Sequence, residues 1–145
     1  MGVIHSLIIR PKRKETPIAM GEINVLKSGI KGDHHIKPFS RRPVTLISSD
    51  ALAEVAAVVG FQGDAHLACR RNICLENLPK ENMIGRKIAI GNDVLLEVTC
   101  YCDPCYRMDE NMGEGALNAF HEKAGWGAIV LHEGQVKTGD HFEVL

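Results

Sequence analysis

Short apolar runs, separated by turn-forming residues, are the feature that most constrains the fold of this chain. The 14 glycines tend to fall between these runs. This punctuation predicts many short strands connected by turns. The candidate strands are Gly2 to Ile9, Glu22 to Leu26, Val44 to Ser48, Asn72 to Leu75, Lys87 to Ile90, Val94 to Thr99, Ala128 to Leu131 and Phe142 to Val144.

Turn residues between some of these runs predict two hairpins. Gly91–Asp93 supplies turn chemistry between two apolar arms. Residues 132–135, His-Glu-Gly-Gln, predict a second hairpin because they separate an apolar strand from Val136. Residues 138–140 then turn the chain into its last strand.

Two segments have the character of helices. The first is Ser49–Val59, where Ser49 or Asp50 can cap the start and Gly60 can cap the end. The second is Gly115–Lys123. Many short strands with few helices predict a mainly β (α+β) fold. We expect a closed or nearly closed barrel, since closure removes exposed strand edges.

Size and charge limit the class of protein. The 145 residues correspond to a single domain, 1–145, and 17 basic against 18 acidic residues leave a net charge of −1. That balance lacks the basic excess of a duplex-binding module, so we expect no nucleic acid polymer as a partner. Positive charges follow the first apolar run, whereas in a signal peptide they precede it. No apolar run approaches the roughly 18 residues that a membrane-spanning helix needs. Five cysteines, an odd number, favour reduced thiols in a soluble cytoplasmic protein.

Three cysteines between positions 100 and 105 are the strongest chemical signal. A predicted strand runs into the loop Cys-Tyr-Cys-Asp-Pro-Cys, which ends at Cys105. Arg107 follows two residues later, and its guanidinium would favour a thiolate, the form that acts as nucleophile and soft-metal ligand. Buried cysteines that pack as small hydrophobes are the alternative interpretation, and Cys100 at the end of a strand fits it best.

The spacing Cys102-x-x-Cys105 also occurs in zinc knuckles and in thioredoxin-like motifs. A structural zinc site needs two further ligands, and Cys69 and Cys74, with four residues between them, match a zinc ribbon poorly. A thioredoxin-like motif needs a following helix in a βαβ context, which the sequence does not predict. A zinc-binding structural module is therefore the alternative function.

Other segments carry groups that suit a small anionic ligand. Gly29–His35 places two glycines before an acid and paired histidines, a pattern that fits a phosphate, metal or proton site as well as a plain surface turn. Arg41–Arg42 and Arg70–Arg71 each precede a strand, and they would converge at one barrel mouth or remain solvated. Trp126, flanked by glycines, packs in the core or lines a pocket.

In this order, the segments resemble the MOSC domain family, which is named for the C-terminal domain of molybdenum cofactor sulfurases. The resemblance spans nearly the whole chain and implies a β-rich, barrel-like fold with one essential cysteine. That cysteine matches Cys105. The matching segments are Gly29–His35, Arg42–Ser48, Arg70–Ile73, Ile84–Gly91, Leu95–Thr99 with Cys102–Cys105, and Gly125–Val130 with Gly139–Asp140.

The resemblance also implies chemistry. In relatives the matching cysteine carries sulfur as a persulfide or coordinates the molybdenum of a pterin cofactor, so Cys105 is both the expected catalytic residue and the expected metal ligand. Pyridoxal phosphate binding is also possible in this family. The residues expected to bind the molybdenum cofactor (molybdopterin) are Gly32, Asp33, His34, Arg42, Arg70, Arg71, Asn72 and Arg107.

Two functions follow from the resemblance, and the sequence does not separate them. One is a molybdenum-dependent reductase of N-hydroxylated compounds, in which a separate protein donates electrons and Asp33, His34 or His35 handles protons. The other is a sulfur carrier or cofactor-handling domain whose partner is a cysteine desulfurase. The residue Cys102 mildly supports the second function, because an additional thiol could relay sulfur or form a resting disulfide.

Overall fold

A computed structural model describes residues 2–37 and 39–145 of the chain. Within them the fold is mainly β, with four short helices: α1 Ser49–Val59, α2 Ala65–Cys69, α3 Arg107–Met112 and α4 Ala116–Ala119. None of these helices is long and apolar enough to cross a membrane. The strands are β1 Gly2–Ile9, β2 Ile18–Met20, β3 Glu22–Leu26, β4 Gly29–Ile30, β5 Val44–Ser48, β6 Ile73–Glu76, β7 Lys87–Ile90, β8 Val94–Tyr101, β9 Trp126–His132, β10 Gly134–Lys137 and β11 His141–Val144.

Seven of the strands close into a barrel, as predicted. Their order is β1-β11-β7-β8-β9-β5-β6, and β6 pairs with β1 again. Neighbours are antiparallel except β5 and β6, which run parallel with Leu46 opposite Ile73. Strand β2 pairs with the second half of β1, and β10, β3 and β4 form a separate small sheet.

Two apolar layers hold the fold together. The first fills the barrel with aliphatic side chains that are fully buried, among them Leu46 and Ile73. The second lies outside β5 and β6, where the helices cover Ile47, Cys74 and Phe120. The helices therefore form one cover over the parallel strand pair, and each layer buries the residues of one strand face.

Helix α1 has its predicted bounds, but its cap differs from the prediction. The N-cap is Ser48, whose hydroxyl oxygen accepts a bond from the Ala51 N–H at 3.4 Å, so neither Ser49 nor Asp50 caps the helix. The extended backbone of Ser48 allows this because it still belongs to β5. Gly60 ends the helix in the left-handed conformation, as predicted.

One of the two predicted hairpins is confirmed and the other is wrong. Strands β7 and β8 pair across the Gly91–Asp93 turn, with Ile90 opposite Val94. Strand β10, however, pairs with β3 rather than β9, so that Val136 lies opposite Ile23. Val136 is fully buried there, and this burial favours pairing with a distant strand over a local hairpin.

Further differences concern the ends of the predicted elements. Strand β6 begins one residue later than predicted, while β8 and β9 are longer than predicted. The helix predicted over Gly115–Lys123 is the single turn of α4, followed by turns. Glu122 has a φ of 61°, which no right-handed helix accommodates, and this explains why the helix ends early.

Candidate functional site

The five cysteines differ sharply in their environments. Cys105 is exposed and Cys100 is half-buried, while Cys69, Cys74 and Cys102 are buried. Burial raises the pKa of Cys69 to about 11 and that of Cys74 to about 12, so both thiols stay protonated at neutral pH. Cys105 is therefore the thiol most accessible to a reagent or a substrate.

Cys105 lies in the loop between β8 and α3. Its carbonyl oxygen accepts a bond from the Met108 N–H at 2.9 Å, in the first turn of α3. A helix thus follows the Cys-x-x-Cys motif, contrary to the sequence prediction. The flanking strands β8 and β9 are antiparallel, however, so the motif still lies outside the βαβ context of a thioredoxin-like site.

Cys102 is buried, and the charges of two nearby arginines act on its thiol. Its backbone N–H donates to the Gly125 carbonyl at 3.0 Å, which fixes it against the start of β9. Burial raises the pKa of the Cys102 thiol, and the positive charges of Arg71 and Arg42 oppose that rise. Cations therefore surround the buried thiol of the motif.

The pairing of β5 with β6 explains why these two arginines meet. Arg42 precedes β5 and Arg71 precedes β6, and parallel strands begin at the same end of a sheet. The Arg71 Nε donates to the Ala124 carbonyl at 2.8 Å and its Nη2 to the Asp103 carbonyl at 3.4 Å. Arg71 therefore ties the cysteine loop to the barrel.

The Gly-Asp-His turn is anchored by an ion pair that the sequence analysis missed. The Asp33 carboxylate accepts bonds from Arg10 through its backbone N at 2.7 Å, its Nε at 3.0 Å and its Nη2 at 2.9 Å. Burial raises the pKa of Asp33, but the hydrogen bonds and charge of Arg10 lower it by more. The pKa of Asp33 therefore lies below its ordinary value. Arg10 was missed because its partner lies 23 residues away.

Asn72 joins this turn to the arginine segment. Its side-chain N donates to Asp33 Oδ1 at 3.2 Å, and its side-chain oxygen accepts from the Thr45 backbone N at 3.2 Å. Asn72 is fully buried, so its amide bonds inside the protein. The structure thus brings three predicted segments together, with Asp33 and Asn72 as their connecting pair.

The paired histidines occupy different environments. His34 is exposed, and its Nδ1 lies 2.9 Å from the Arg10 carbonyl. His35 is half-buried, with Nε2 3.2 Å from the Ser40 hydroxyl, which also accepts a bond from the Arg42 N–H. Burial, followed by the charge of Arg10, lowers the pKa of His35. At neutral pH His35 is an uncharged base beside Arg42.

Arg70 and Arg107 line a second basic region. They border a cavity of about 290 Å³ whose wall also contains Lys14 and the acidic residues Glu15 and Asp64. Burial, followed by the positive charge of Arg107, lowers the pKa of Arg70, which means that these two charges repel each other. An anion placed in this cavity would relieve that repulsion.

A larger cavity lies beside the cysteine loop. It measures about 500 Å³, and Cys102, Asp103 and Pro104 form part of its wall. Tyr101 and Trp126 form another part, with ring centroids 4.5 Å apart and planes tilted by 32°. Trp126 therefore packs on the core and also lines a pocket. The aromatic wall suits a flat ring system.

The donor set fits a molybdenum–pterin group better than zinc. No group of three or more His, Cys, Asp or Glu side chains able to hold a metal ion occurs in residues 2–37 and 39–145, so a zinc module would lack ligands. For the pterin group, Cys105 would supply a soft thiolate ligand. Arg70 and Arg107, in the 290 Å³ cavity, would supply cations for its phosphate, and the aromatic wall of the separate 500 Å³ cavity would suit its rings.

Together these features define a small barrel domain with one exposed cysteine in a loop near basic segments. The MOSC domain family matches residues 31–143, and the chain belongs to this family. Among curated proteins, no sequence matches the chain.

Solved structures share the fold at low sequence identity. The YuaD protein from Bacillus subtilis is 19% identical with a TM-score of 0.87, covering 99% of this chain and 94% of its own. YiiM from Geobacillus stearothermophilus is 16% identical with a TM-score of 0.77, covering 100% and 75%. YiiM from Escherichia coli is 18% identical with a TM-score of 0.71, covering 100% and 70%. At these identities the likeness concerns the fold alone.

Proposed function

We propose that this protein handles the molybdenum cofactor through the thiol of Cys105, which accepts sulfur as a persulfide from a cysteine desulfurase and passes it on. The observation that carries the proposal is the exposure of this one thiol, while the other four cysteines are buried or half-buried. A sulfur carrier needs its thiol to reach the active sites of two partners, and only an exposed side chain does so.

In this proposal three arginines bind the cofactor, and Asp33 has a structural role. Arg70 and Arg107 bind the phosphate of the cofactor, and Arg42 adds a third cation near the loop. Asp33, held by Arg10, positions the turn that begins at Gly32 rather than contacting the cofactor. Once bound, the cofactor would supply redox and oxygen-transfer chemistry at molybdenum, with Cys105 as a ligand only when its thiol carries no sulfur.

Sulfur loading tests the proposal directly. Protein incubated with a cysteine desulfurase and cysteine should gain one sulfur atom, located by mass spectrometry on Cys105. The variant Cys105→Ser should gain none, whereas Cys100→Ser, the matched control in the neighbouring strand, should load normally. If Cys105 never gains sulfur, or if Cys105→Ser loads as well as the wild type, the carrier function is wrong.

A second candidate, reduction of N-hydroxylated compounds, is favoured by one observation at the turn. His35 is uncharged at neutral pH and lies beside Arg42, so it can accept or donate a proton near the site. Cofactor-loaded protein supplied with an electron donor should then reduce an amidoxime. We expect His35→Gln to change the pH profile of this reaction and Cys105→Ser to abolish it. Full activity in Cys105→Ser would contradict this candidate.

A further inference from the structure

Cys102 is a second thiol in the same loop, and the proposed carrier function does not use it. We propose that Cys102 is the resolving thiol: it attacks a persulfide on Cys105, releases the outer sulfur as hydrosulfide and leaves a Cys102–Cys105 disulfide. This inference rests on the proposed carrier function. It assigns to this chain the step by which carried sulfur leaves.

The two thiols have the complementary accessibility that this chemistry requires. Cys105 is exposed and can meet a desulfurase, whereas Cys102 is 3% exposed and is shielded from bulky reagents. Cys102 also forms part of the wall of the 500 Å³ cavity, together with Asp103 and Pro104. A buried resolving thiol cannot itself be loaded by a protein partner, which keeps loading and release on separate residues.

The loop can bring the two sulfur atoms together. Three residue steps separate Cys102 from Cys105, so their Cα atoms lie at most about 10 Å apart. A disulfide needs a Cα separation of about 4–7 Å. Residues 102–105 lie in no helix or strand, so no repeating pattern of backbone hydrogen bonds fixes the distance between the two cysteines. In the resting state two backbone bonds hold the ends of this loop, from the Cys102 N–H to the Gly125 carbonyl and from the Met108 N–H to the Cys105 carbonyl.

The surrounding charges favour the attack. The guanidinium groups of Arg42 and Arg71 act on Cys102 and would stabilise the thiolate that attacks and the hydrosulfide that departs. Burial is the larger effect and raises the pKa of the Cys102 thiol, so the thiol rests in its protonated form. Cys69 and Cys74 have no equivalent role, because both belong to the apolar layer under the helices.

The step balances in atoms and electrons. The Cys102 sulfur forms a bond to the inner sulfur of the Cys105 persulfide anion, the Cys102 thiol proton passes to the outer sulfur, and the bond between inner and outer sulfur breaks. The outer sulfur leaves with that electron pair as hydrosulfide, so it is reduced while the two cysteine sulfurs are oxidised to a disulfide. A dithiol reductant then restores the thiols of Cys102 and Cys105, and the reductant itself is oxidised to a disulfide once per turnover.

The experiment follows a single loaded turnover. The protein is loaded on Cys105, freed of donor and incubated without reductant while hydrosulfide is trapped and the protein is digested with trypsin. Residues 88–107 form one tryptic peptide, which contains Cys100, Cys102 and Cys105. We expect hydrosulfide release in step with the loss of two hydrogens from this peptide, and fragmentation should place the bridge between Cys102 and Cys105.

Variants separate the failure of this inference from the failure of the carrier function. Cys102→Ser and Cys102→Ala should load normally but release hydrosulfide about tenfold or more slowly, while Cys100→Ser should behave as the wild type. A thermal melt confirms that the variants are folded. If the wild type never loads, the carrier function fails. If it loads but both Cys102 variants release sulfur as fast as the wild type, or the bridge involves Cys100, the resolving role is overturned.

Discussion

At the scale of single residues, the thiols should report their environments through reactivity. Under native conditions we expect iodoacetamide to modify Cys105 first, because it is exposed, and to modify Cys69, Cys74 and Cys102 only after unfolding. Peptide mass spectrometry over a time course measures this order. Cys105→Ser should remove the fast phase, and Cys100→Ser should retain it. A fast phase that survives in Cys105→Ser would contradict the assignment.

The carboxylate of Asp33 should matter for stability rather than for chemistry. Its side chain is 1% exposed and is bonded to Arg10 at three donors. Asp33→Asn leaves the Arg10 charge buried without its partner, so we expect a loss of about 3–5 kcal/mol in the free energy of unfolding. Urea denaturation measures it, and Glu143→Gln on the exposed face of β11 is the control, with a change below about 0.5 kcal/mol.

The pH dependence of this ion pair follows from the direction of the pKa shift. Since the folded state lowers the pKa of Asp33, its contribution is present above the ordinary carboxyl pKa and is lost as pH falls through the lower folded value. Wild-type stability should therefore decline below about pH 4, and Asp33→Asn should show a smaller decline. An equal decline in both proteins would show that Asp33 is not the group responsible.

At the scale of elements, two glycines with positive φ distinguish the cost of backbone strain from the cost of a steric clash. Gly60 ends α1 with a φ of 70°, and an added Cβ there would meet nothing within 4 Å. Gly125 precedes β9 with a φ of 100°, and an added Cβ would lie 2.1 Å from the Leu46 carbonyl oxygen. Gly60→Ala should cost about 1 kcal/mol, whereas Gly125→Ala should cost more than about 3 kcal/mol or prevent folding.

Thermal melts of the two variants compare these costs. The same substitution at a similar φ makes Gly60→Ala the matched control for Gly125→Ala. Because the Gly125 carbonyl also holds the Cys102 N–H, surviving Gly125→Ala protein should additionally show faster alkylation of Cys102. Equal stability losses in the two variants would contradict this prediction, because they would mean that the backbone at Leu46 shifts to accommodate the added Cβ.

The elements that could be predicted are those whose signals are local. Strands β1, β3, β5 and β7 and helix α1 have the predicted bounds, since apolar runs bounded by turn residues mark the strands and Gly60 marks the end of the helix. Strands β2 and β4 and helices α2 and α3 were missed because they are too short to show a period. The capping oxygen of Asp64, which accepts from the Leu67 N–H, was the one available signal for α2.

The candidate site was predictable only in part, for the same reason. The cysteine loop and both arginine pairs can be recognised in the sequence, but the residues that they contact depend on the tertiary structure. Contacts between residues distant in sequence determine three features: the ion pair of Arg10 with Asp33, the pairing of β10 with β3, and the burial of Cys102. No local pattern distinguishes the buried Cys102 from the exposed Cys105.

At the scale of the whole molecule, the site belongs to the outer layer rather than to the barrel interior. The segment between β8 and β9 carries the cysteine loop, α3 and α4, and its buried side chains cover β5 and β6. Events that loosen this layer should therefore disturb the thiols while the barrel remains intact. The cooperative unit next to the site is the helical cover, which the apolar layer and polar contacts hold to the barrel.

His66 is the polar contact whose protonation should loosen this cover. It lies in α2 at 6% exposure, with Nδ1 2.6 Å from the Ser6 hydroxyl in β1 and Nε2 2.6 Å from the Arg71 carbonyl. Burial lowers the pKa of His66, and the Arg71 carbonyl and the charge of Asp64 offset only part of this effect. The folded protein therefore favours the uncharged ring more than the unfolded chain does.

The sign of the resulting pH dependence is fixed. Above the ordinary histidine pKa of about 6.5 both states hold the neutral ring, and as pH falls below it the unfolded chain binds the proton first. The free energy of unfolding should thus fall with pH by at most about 1.4 kcal/mol per pH unit between pH 6.5 and the lower folded pKa. His66→Gln keeps a donor toward the Arg71 carbonyl and does not titrate, so its stability should be flatter over this range. Parallel urea titrations test this, and coincident slopes for the two proteins would exclude His66 as the cause.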